Sequence, residues 1–479
     1  MLFNSVEFIF FFLPFSLFGY FLLNRYGLYK LSNLWLAACS LGFYSWWNIS
    51  YLPLLCGSII FNYFTGTSLS RMPAGSRYRR ALLVIGICGN VALLAYFKYM
   101  DFFITNVNAF FRMDMPLLRI VLPLGISFFT FTQIAFLADC HRGECREYSF
   151  FNYVLFVTFF PHLIAGPIIH HKEMMPQFES LENKRLDYKN LSAGLFLFSV
   201  GLFKKVVIAD RLAPFAAKGF DSGGALTFVD GWTAALAYTF QIYFDFSGYT
   251  DMAIGAAMMF NVFLPPNFNS PYKALSVRDF WRRWHITLSR FLRDYIYIPL
   301  GGSRAGKSRT HFNVILTFFI GGLWHGAGWT FLIWGLLHGA ALSVQRLWEE
   351  TGVKLNKYLS WTLTFLFVVV TWVFFRAKNV GAAGRVLTAM SGLSGFAMPS
   401  FLQKFGIGRH LADADLIKMN SKVFLWLIST AVLTLFLKNS LQLLKDFRPN
   451  KRTLVFCMAL AFYSILQLNK TSDFLYFNF

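Results

Sequence analysis

The chain of 479 residues is 56% hydrophobic and 19% aromatic, with only 14% charged residues, whereas soluble domains carry about 25% charge. Two or three soluble domains would fit this length, but the apolar runs point to one polytopic membrane domain over residues 1–479. A net charge of +21 would suit nucleic acid, but the cations fall in short clusters between apolar runs, as the positive-inside rule arranges cytoplasmic loops, so no nucleic-acid partner is expected.

Met1 to Leu23 is long and apolar, with no basic leading region and no small-x-small site, so it reads as a retained first span (Val6 to Leu23) rather than a cleavable signal. Arg25 and Lys30 follow as a basic loop. Leu34 to Trp47 and Leu52 to Leu69 are two apolar segments joined at Asn48-Ile49-Ser50, and the next basic cluster is Arg71, Arg77, Arg79 and Arg80. Both basic loops are then expected on the cytoplasmic side of a cell inner membrane, with the N-terminus in the periplasm. Ala81 to Phe97 is expected to cross outward, Asp101 to Met115 to form an outer loop, and Leu117 to Leu137 to cross back.

Phe150 to His171 carries Pro161, Gly166 and Pro167 in an apolar setting, which reads as a broken or re-entrant segment, or as a kinked spanning helix. Leu191 to Ile208 is another span. Trp232 to Val262 is longer than one span and contains Gln241, Asp245, Ser247 and Asp251, which must face protein or water: a polar tunnel wall or a satisfied interhelical network. A proline-dense loop, Pro265 to Tyr272, precedes Arg278, Arg282, Arg283, Arg290 and Arg293, which alternate with aromatics. That mixture suits a membrane interface, and equally an anionic ligand such as a coenzyme A thioester.

Gly301 to Ser308 has the spacing of a phosphate loop but no strand–turn–helix context, so a basic inner loop is the better reading. Val314 to Leu342 then contains His325 and no other titratable side chain except His338. An imidazole in so apolar a segment is a functional candidate by default. Gly322/Gly326 and Gly335/Gly339 are small-x-x-x-small pairs that permit close helix packing, which makes His338 a packed, hydrogen-bonded helix residue. Trp361 to Phe375, Lys422 to Leu437 and Leu454 to Leu468 read as later spans, Val380 to Asn420 as a surface loop with short helices, and Phe474 to Phe479 as an interfacial tail.

The cysteines, Cys39, Cys56, Cys88, Cys140, Cys145 and Cys457, indicate no disulfide framework. Cys140-His141 with Cys145 is half a metal site without its other half, so no metal is expected. The chain has no G-x-S-x-G elbow and no H-E-x-x-H helix. A buried neutral imidazole suits general-base work on an incoming hydroxyl, which leaves group transfer as the chemistry.

Three stretches carry a family resemblance: Trp281-Arg282-Arg283-Trp284-His285-Ile286-Thr287-Leu288-Ser289, Tyr295-Ile296-Tyr297-Ile298-Pro299-Leu300-Gly301-Gly302 and Gly321-Gly322-Leu323-Trp324-His325-Gly326. Together they resemble the membrane-bound O-acyltransferase family. Phe97-Lys98-Tyr99, Phe159 to Pro167 and Tyr243 to Gly255 narrow the resemblance to the bacterial exopolysaccharide branch, the membrane subunit of alginate O-acetylation and its peptidoglycan-acetylating relatives. The motifs lie in a core of about residues 80–348, and nothing in 380–420 carries over.

The resemblance implies an all-α polytopic fold, a ring of about eleven transmembrane helices plus re-entrant segments around a central tunnel. It implies catalysis by His325, with His285 in support, and no permanently bound cofactor. An acetyl group from cytosolic acetyl-CoA would pass to a hydroxyl on the outer side, either on a periplasmic SGNH-hydrolase-like acetyltransferase partner or directly on a polysaccharide or peptidoglycan. Arg282, Arg283 and Arg290 are the residues expected to hold the anionic donor. The competing class is a multi-span transporter of an acyl-sugar or lipid-linked glycan with histidine as proton relay, which paired inverted repeats would favour; none is visible.

Overall fold

The computed structural model describes residues 1–145, 149–304, 306–396, 421–468 and 475, and these are helical with connecting loops. Five helical stretches among them are long and apolar enough to cross a membrane: Glu7–Arg25, Ile49–Arg71, Arg77–Phe111, Tyr188–Asp221 and Lys357–Arg376. The chain forms two compact units, each discontinuous in sequence. The first holds Met1–Leu202, Tyr249–Pro266 and Phe447–Thr471, and the second Phe203–Gly248, Asn267–Asp446 and Ser472–Phe479.

In the first unit, small residues and buried amides let helices approach closely. The side chains of Asn62 and Asn90 exchange hydrogen bonds (2.6 and 3.1 Å) between the Leu52–Arg71 and Arg77–Leu94 helices. In hydrocarbon such an amide pair is held by its own reciprocity, since water offers no alternative partner. A Cβ on Gly194 would lie 2.6 Å from the Gly255 carbonyl oxygen, so these two glycines allow backbone-to-backbone contact.

Two sequence expectations change here. Asp101 to Met115 is not an outer loop: Met100–Phe111 is helical and continues the preceding span. No proline or glycine interrupts this stretch, and the Asp101 carboxylate accepts the backbone N–H groups of Leu118 (2.7 Å) and Arg119 (2.9 Å), tying the returning chain to the helix. The crossing back is also shorter than Leu117 to Leu137. Pro116 and Pro123 deny backbone donors, residues 113–123 are not helical, and the helix runs Ile126–Arg142.

The Pro161–Pro167 stretch is a broken segment, as expected. Helices Phe150–Thr158 and Phe160–Leu163 are followed by non-helical backbone up to the His171–Glu179 helix, and residues 155–170 are all buried. Irregular backbone survives at such depth because protein satisfies it. The Phe160 N–H donates to Ser40 Oγ (3.1 Å), and His162 Nε2 lies 2.9 Å from the Phe156 carbonyl.

In the second unit, Lys307–His325 and Trp329–Glu350 form a helical hairpin, broken at Gly326–Gly328. A Cβ on Gly322 would come 2.4 Å from Phe331 O, on Gly335 2.4 Å from Phe318 O, and on Gly339 2.8 Å from Ile315 Cα. The glycine spacing therefore packs these two helices together, as their sequence indicates. The Gly301–Ser308 stretch leads directly into the Lys307–His325 helix, and no strand precedes it among the described residues. Val380–Met390 is one of the short helices expected in that region, and its Ala383, Val386 and Ala389 are buried rather than at the surface. Residues 397–420, and the tail apart from Leu475, lie outside the described residues.

Candidate active site

The second unit brings His285 and His325 together across 40 residues of sequence (325 − 285). Their ring centroids are 6.5 Å apart, with both side chains buried (0% and 2% exposed). His325 is the last residue of its helix, so its ring projects where the helical backbone stops at Gly326. A Cβ on Gly326 would meet the Phe331 ring at 2.2 Å, so a side chain there would have to displace that ring. Around the His325 ring stand Trp324 (4.8 Å between centroids), Phe375 (5.0 Å) and Trp334 (5.1 Å). Phe246 lies edge-on to His285 at 4.8 Å.

His285 is positioned by backbone as much as by packing. Its φ of 42° is left-handed, which costs a non-glycine residue energy and persists only where neighbours hold it. Asn267 supplies that hold. Its Oδ1 faces His285 Nδ1 (3.3 Å) and accepts from Thr287 Oγ1 (2.6 Å) and Thr287 N (3.2 Å), while its carbonyl accepts from Ile286 N (3.0 Å). An amide oxygen only accepts, so Nδ1 carries the proton in the neutral ring and Nε2 carries the lone pair.

A cavity of about 520 Å³ lies in the same unit, and Arg278, Arg282, Arg290, Arg293 and Arg346 line it together with Trp281 and Tyr297. No carboxylate is among its lining residues as described. Two of the arginines have acidic partners: Arg278 pairs with Glu349 (2.8 Å), and Arg293 donates Nε and Nη2 to Asp294 (2.7 and 3.2 Å). Arg283 does not line this cavity. It lies in the Trp281–His285 turn and pairs with Asp279 (2.8 Å), four residues earlier. The arginines cannot share one helix face because the Val277–Trp281 helix ends before Ile286–Leu292 begins.

Trp281 connects the cavity wall to the histidines. It lines the cavity, donates Nε1–H to His338 Nδ1 (3.1 Å) and packs on Trp334 at 5.7 Å, which in turn packs on His325. His338 is thus the packed, hydrogen-bonded helix residue its glycine neighbour suggests. The Trp334 indole N–H is buried without a partner among the described residues.

Asp245 is held in an interhelical network. Lys205 bridges it (2.7 Å) and Asp210 (2.8 Å), and the Leu475 backbone N–H donates to it (3.2 Å). Cys140 and Cys145 have their sulfurs 3.1 Å apart, but no group of three metal-ligating side chains forms among the described residues. The sequence did not single out Asn267 or Arg346. The only hint of Asn267 was an amide in a proline-rich loop, and Arg346 sits on a different helix from the other arginines.

Comparison with known proteins identifies the family. Residues 10–377 match the model of the membrane-bound O-acyltransferase family. The peptidoglycan O-acetyltransferase of Helicobacter pylori is 46% identical over an alignment 515 positions long, gaps included, covering 100% of this chain and 98% of that protein. The probable alginate O-acetylase AlgI of Pseudomonas aeruginosa is 41% identical, covering 81% and 75%. The teichoic acid D-alanyltransferase of Bacillus subtilis is 26% identical, covering 52% and 66%. With a family match over residues 10–377 and a relative 46% identical along its whole length, the chain belongs to the membrane-bound O-acyltransferase family.

Proposed function

We propose that this protein is an O-acetyltransferase of the cell inner membrane that moves an acetyl group from cytosolic acetyl-CoA to a hydroxyl on the outer side, serving acetylation of a cell-surface glycan. The observation that carries the reading is the pairing of two buried imidazoles 6.5 Å apart in an aromatic enclosure. His325 removes the proton as the acceptor oxygen attacks the thioester carbonyl, the C–S bond breaks, and the coenzyme leaves as its thiol once protonated. His285, fixed by Asn267, orients the reacting groups. The buried Trp334 N–H is the donor at hand for the oxygen that gains charge during attack.

The arginine-lined cavity supports an anionic donor, since guanidinium groups bind phosphate bidentately. Arg282 and Arg290 hold the donor's phosphates, assisted by Arg278, Arg293 and Arg346. Arg283 acts through its turn.

Peptidoglycan is the favoured glycan, because the relative named for it matches this chain from end to end, whereas the alginate relative matches 81% of it. The immediate acceptor is the hydroxyl of a periplasmic SGNH-hydrolase-like partner, and the N-terminus faces the periplasm. Cells carrying His325→Ala, with the protein still present in the membrane, are expected to lose acetylation of their peptidoglycan. Unchanged acetylation overturns the reading.

A further inference from the structure

The first unit holds a second cavity, of about 650 Å³, which the acyl-transfer chemistry does not use. One wall is the Leu17, Phe18, Phe21 and Leu22 stripe of the Leu13–Arg25 helix, positions one turn apart on a single face. Phe18 is 68% exposed, and on a membrane protein such apolar surface faces acyl chains. At one end the walls turn cationic, with Arg25, Lys184 and Arg185, and no carboxylate is among the lining residues as described. Arg25 ends the first candidate span, so the charges sit at headgroup depth and the stripe at hydrocarbon depth.

Lys184 is the unusual member. Its side chain is 4% exposed, and its ammonium is met by neutral groups: the Tyr20 hydroxyl (3.3 Å), the Asn33 side-chain oxygen and the face of the Tyr20 ring (5.2 Å). Burial lowers that ammonium to about 8, and an anion beside it would offset the lost hydration. Leaving a buried cation with neutral partners is costly unless a ligand supplies the countercharge.

We propose that this cavity binds an anionic glycerophospholipid of the surrounding bilayer, its phosphate held by Lys184, Arg25 and Arg185 and an acyl chain laid along Leu17, Phe18, Phe21 and Leu22. A juxtamembrane basic side chain contributes about fivefold in affinity for an anionic headgroup. The stripe adds the chain's burial, which a soluble phosphate lacks.

The test is native mass spectrometry of the purified full-length protein released from mixed micelles of phosphatidylglycerol and phosphatidylcholine. Phosphatidylglycerol is expected to be retained at least tenfold over phosphatidylcholine. The Arg25→Gln/Arg185→Gln double variant, altered only at exposed positions, is expected to retain it about 25-fold less, as two charges at about fivefold each. Lys184→Met, with folding checked by thermal unfolding, is expected to lower it again. Millimolar glycerol 3-phosphate is expected not to displace the lipid. Equal retention of the two lipids, undiminished retention by the double variant, or displacement by glycerol 3-phosphate would each overturn the proposal.

Discussion

Two buried polar places in the second unit solve opposite problems. Lys205 lies between Asp210 and Asp245, at 2.8 and 2.7 Å, one ammonium shared by two carboxylates. His285 and His325 sit 6.5 Å apart among Phe246, Trp324, Trp334 and Phe375. The first place is spent on holding helices together: its groups are committed to each other. The second is made of rings that can be neutral at no cost and can take up one proton when a reaction supplies it. A buried ionisable group is therefore a weak sign of chemistry when an ion pair occupies it, and a stronger one when aromatic walls surround it and a ligand cavity lies close by.

Substitutions separate the two places. His325→Gln, which keeps most of the side-chain volume, is expected to lower the rate of acetyl transfer by about 10²–10⁴-fold, the range for a general base, while leaving the thermal unfolding midpoint nearly unchanged. Lys205→Met is expected to do the reverse. Removing one partner of a buried pair strands the other charges, at a cost of about 3–5 kcal/mol, read as a lower unfolding midpoint and less folded protein in the membrane. If Lys205→Met were to abolish transfer in protein of undiminished stability, the division between the two places would fail.

Smaller effects grade the site itself. Arg282→Gln and Arg290→Gln are each expected to raise the KM for acetyl-CoA by about tenfold, the loss of one charge-assisted contact. Arg283→Gln, outside the cavity, is expected to leave that KM within about twofold, because its guanidinium is held by Asp279. Asn267→Ala is expected to lower kcat several-fold, at most about tenfold, with the donor KM unchanged. Asn267→Asp, which keeps an acceptor for His285 Nδ1, is expected to recover part of the loss. A change in KM rather than kcat would show that Asn267 serves binding and not the orientation of His285.

Much of this was legible in the sequence for stateable reasons. His325 stood out because apolar surroundings make any titratable group conspicuous. The helical hairpin was legible in the spacing of Gly322, Gly335 and Gly339, and the broken segment in Pro161 and Pro167. What sequence could not show were pairings between distant residues. Asp245 read equally as a tunnel wall or as part of an interhelical network, and its pairing with Lys205 and Leu475 is seen only in the fold. Arg283 looked like its neighbours in a basic run, although Asp279, four residues earlier, was a sign of its different use. Asp101 to Met115 was expected as an outer loop, but Met100–Phe111 is helical, and the Asp101 oxygens receive the backbone of Leu118 and Arg119, a pairing across 17 and 18 residues.

The central claim is that His325 takes the proton from the attacking hydroxyl. Its most direct test is the rate of coenzyme A release from acetyl-CoA by purified His325→Gln protein in lipid nanodiscs, supplied with an acceptor hydroxyl and matched to the unaltered protein in unfolding midpoint. A fall of at least 10²-fold with acetyl-CoA still bound is the expected result. A rate within a few-fold of the unaltered protein would contradict it.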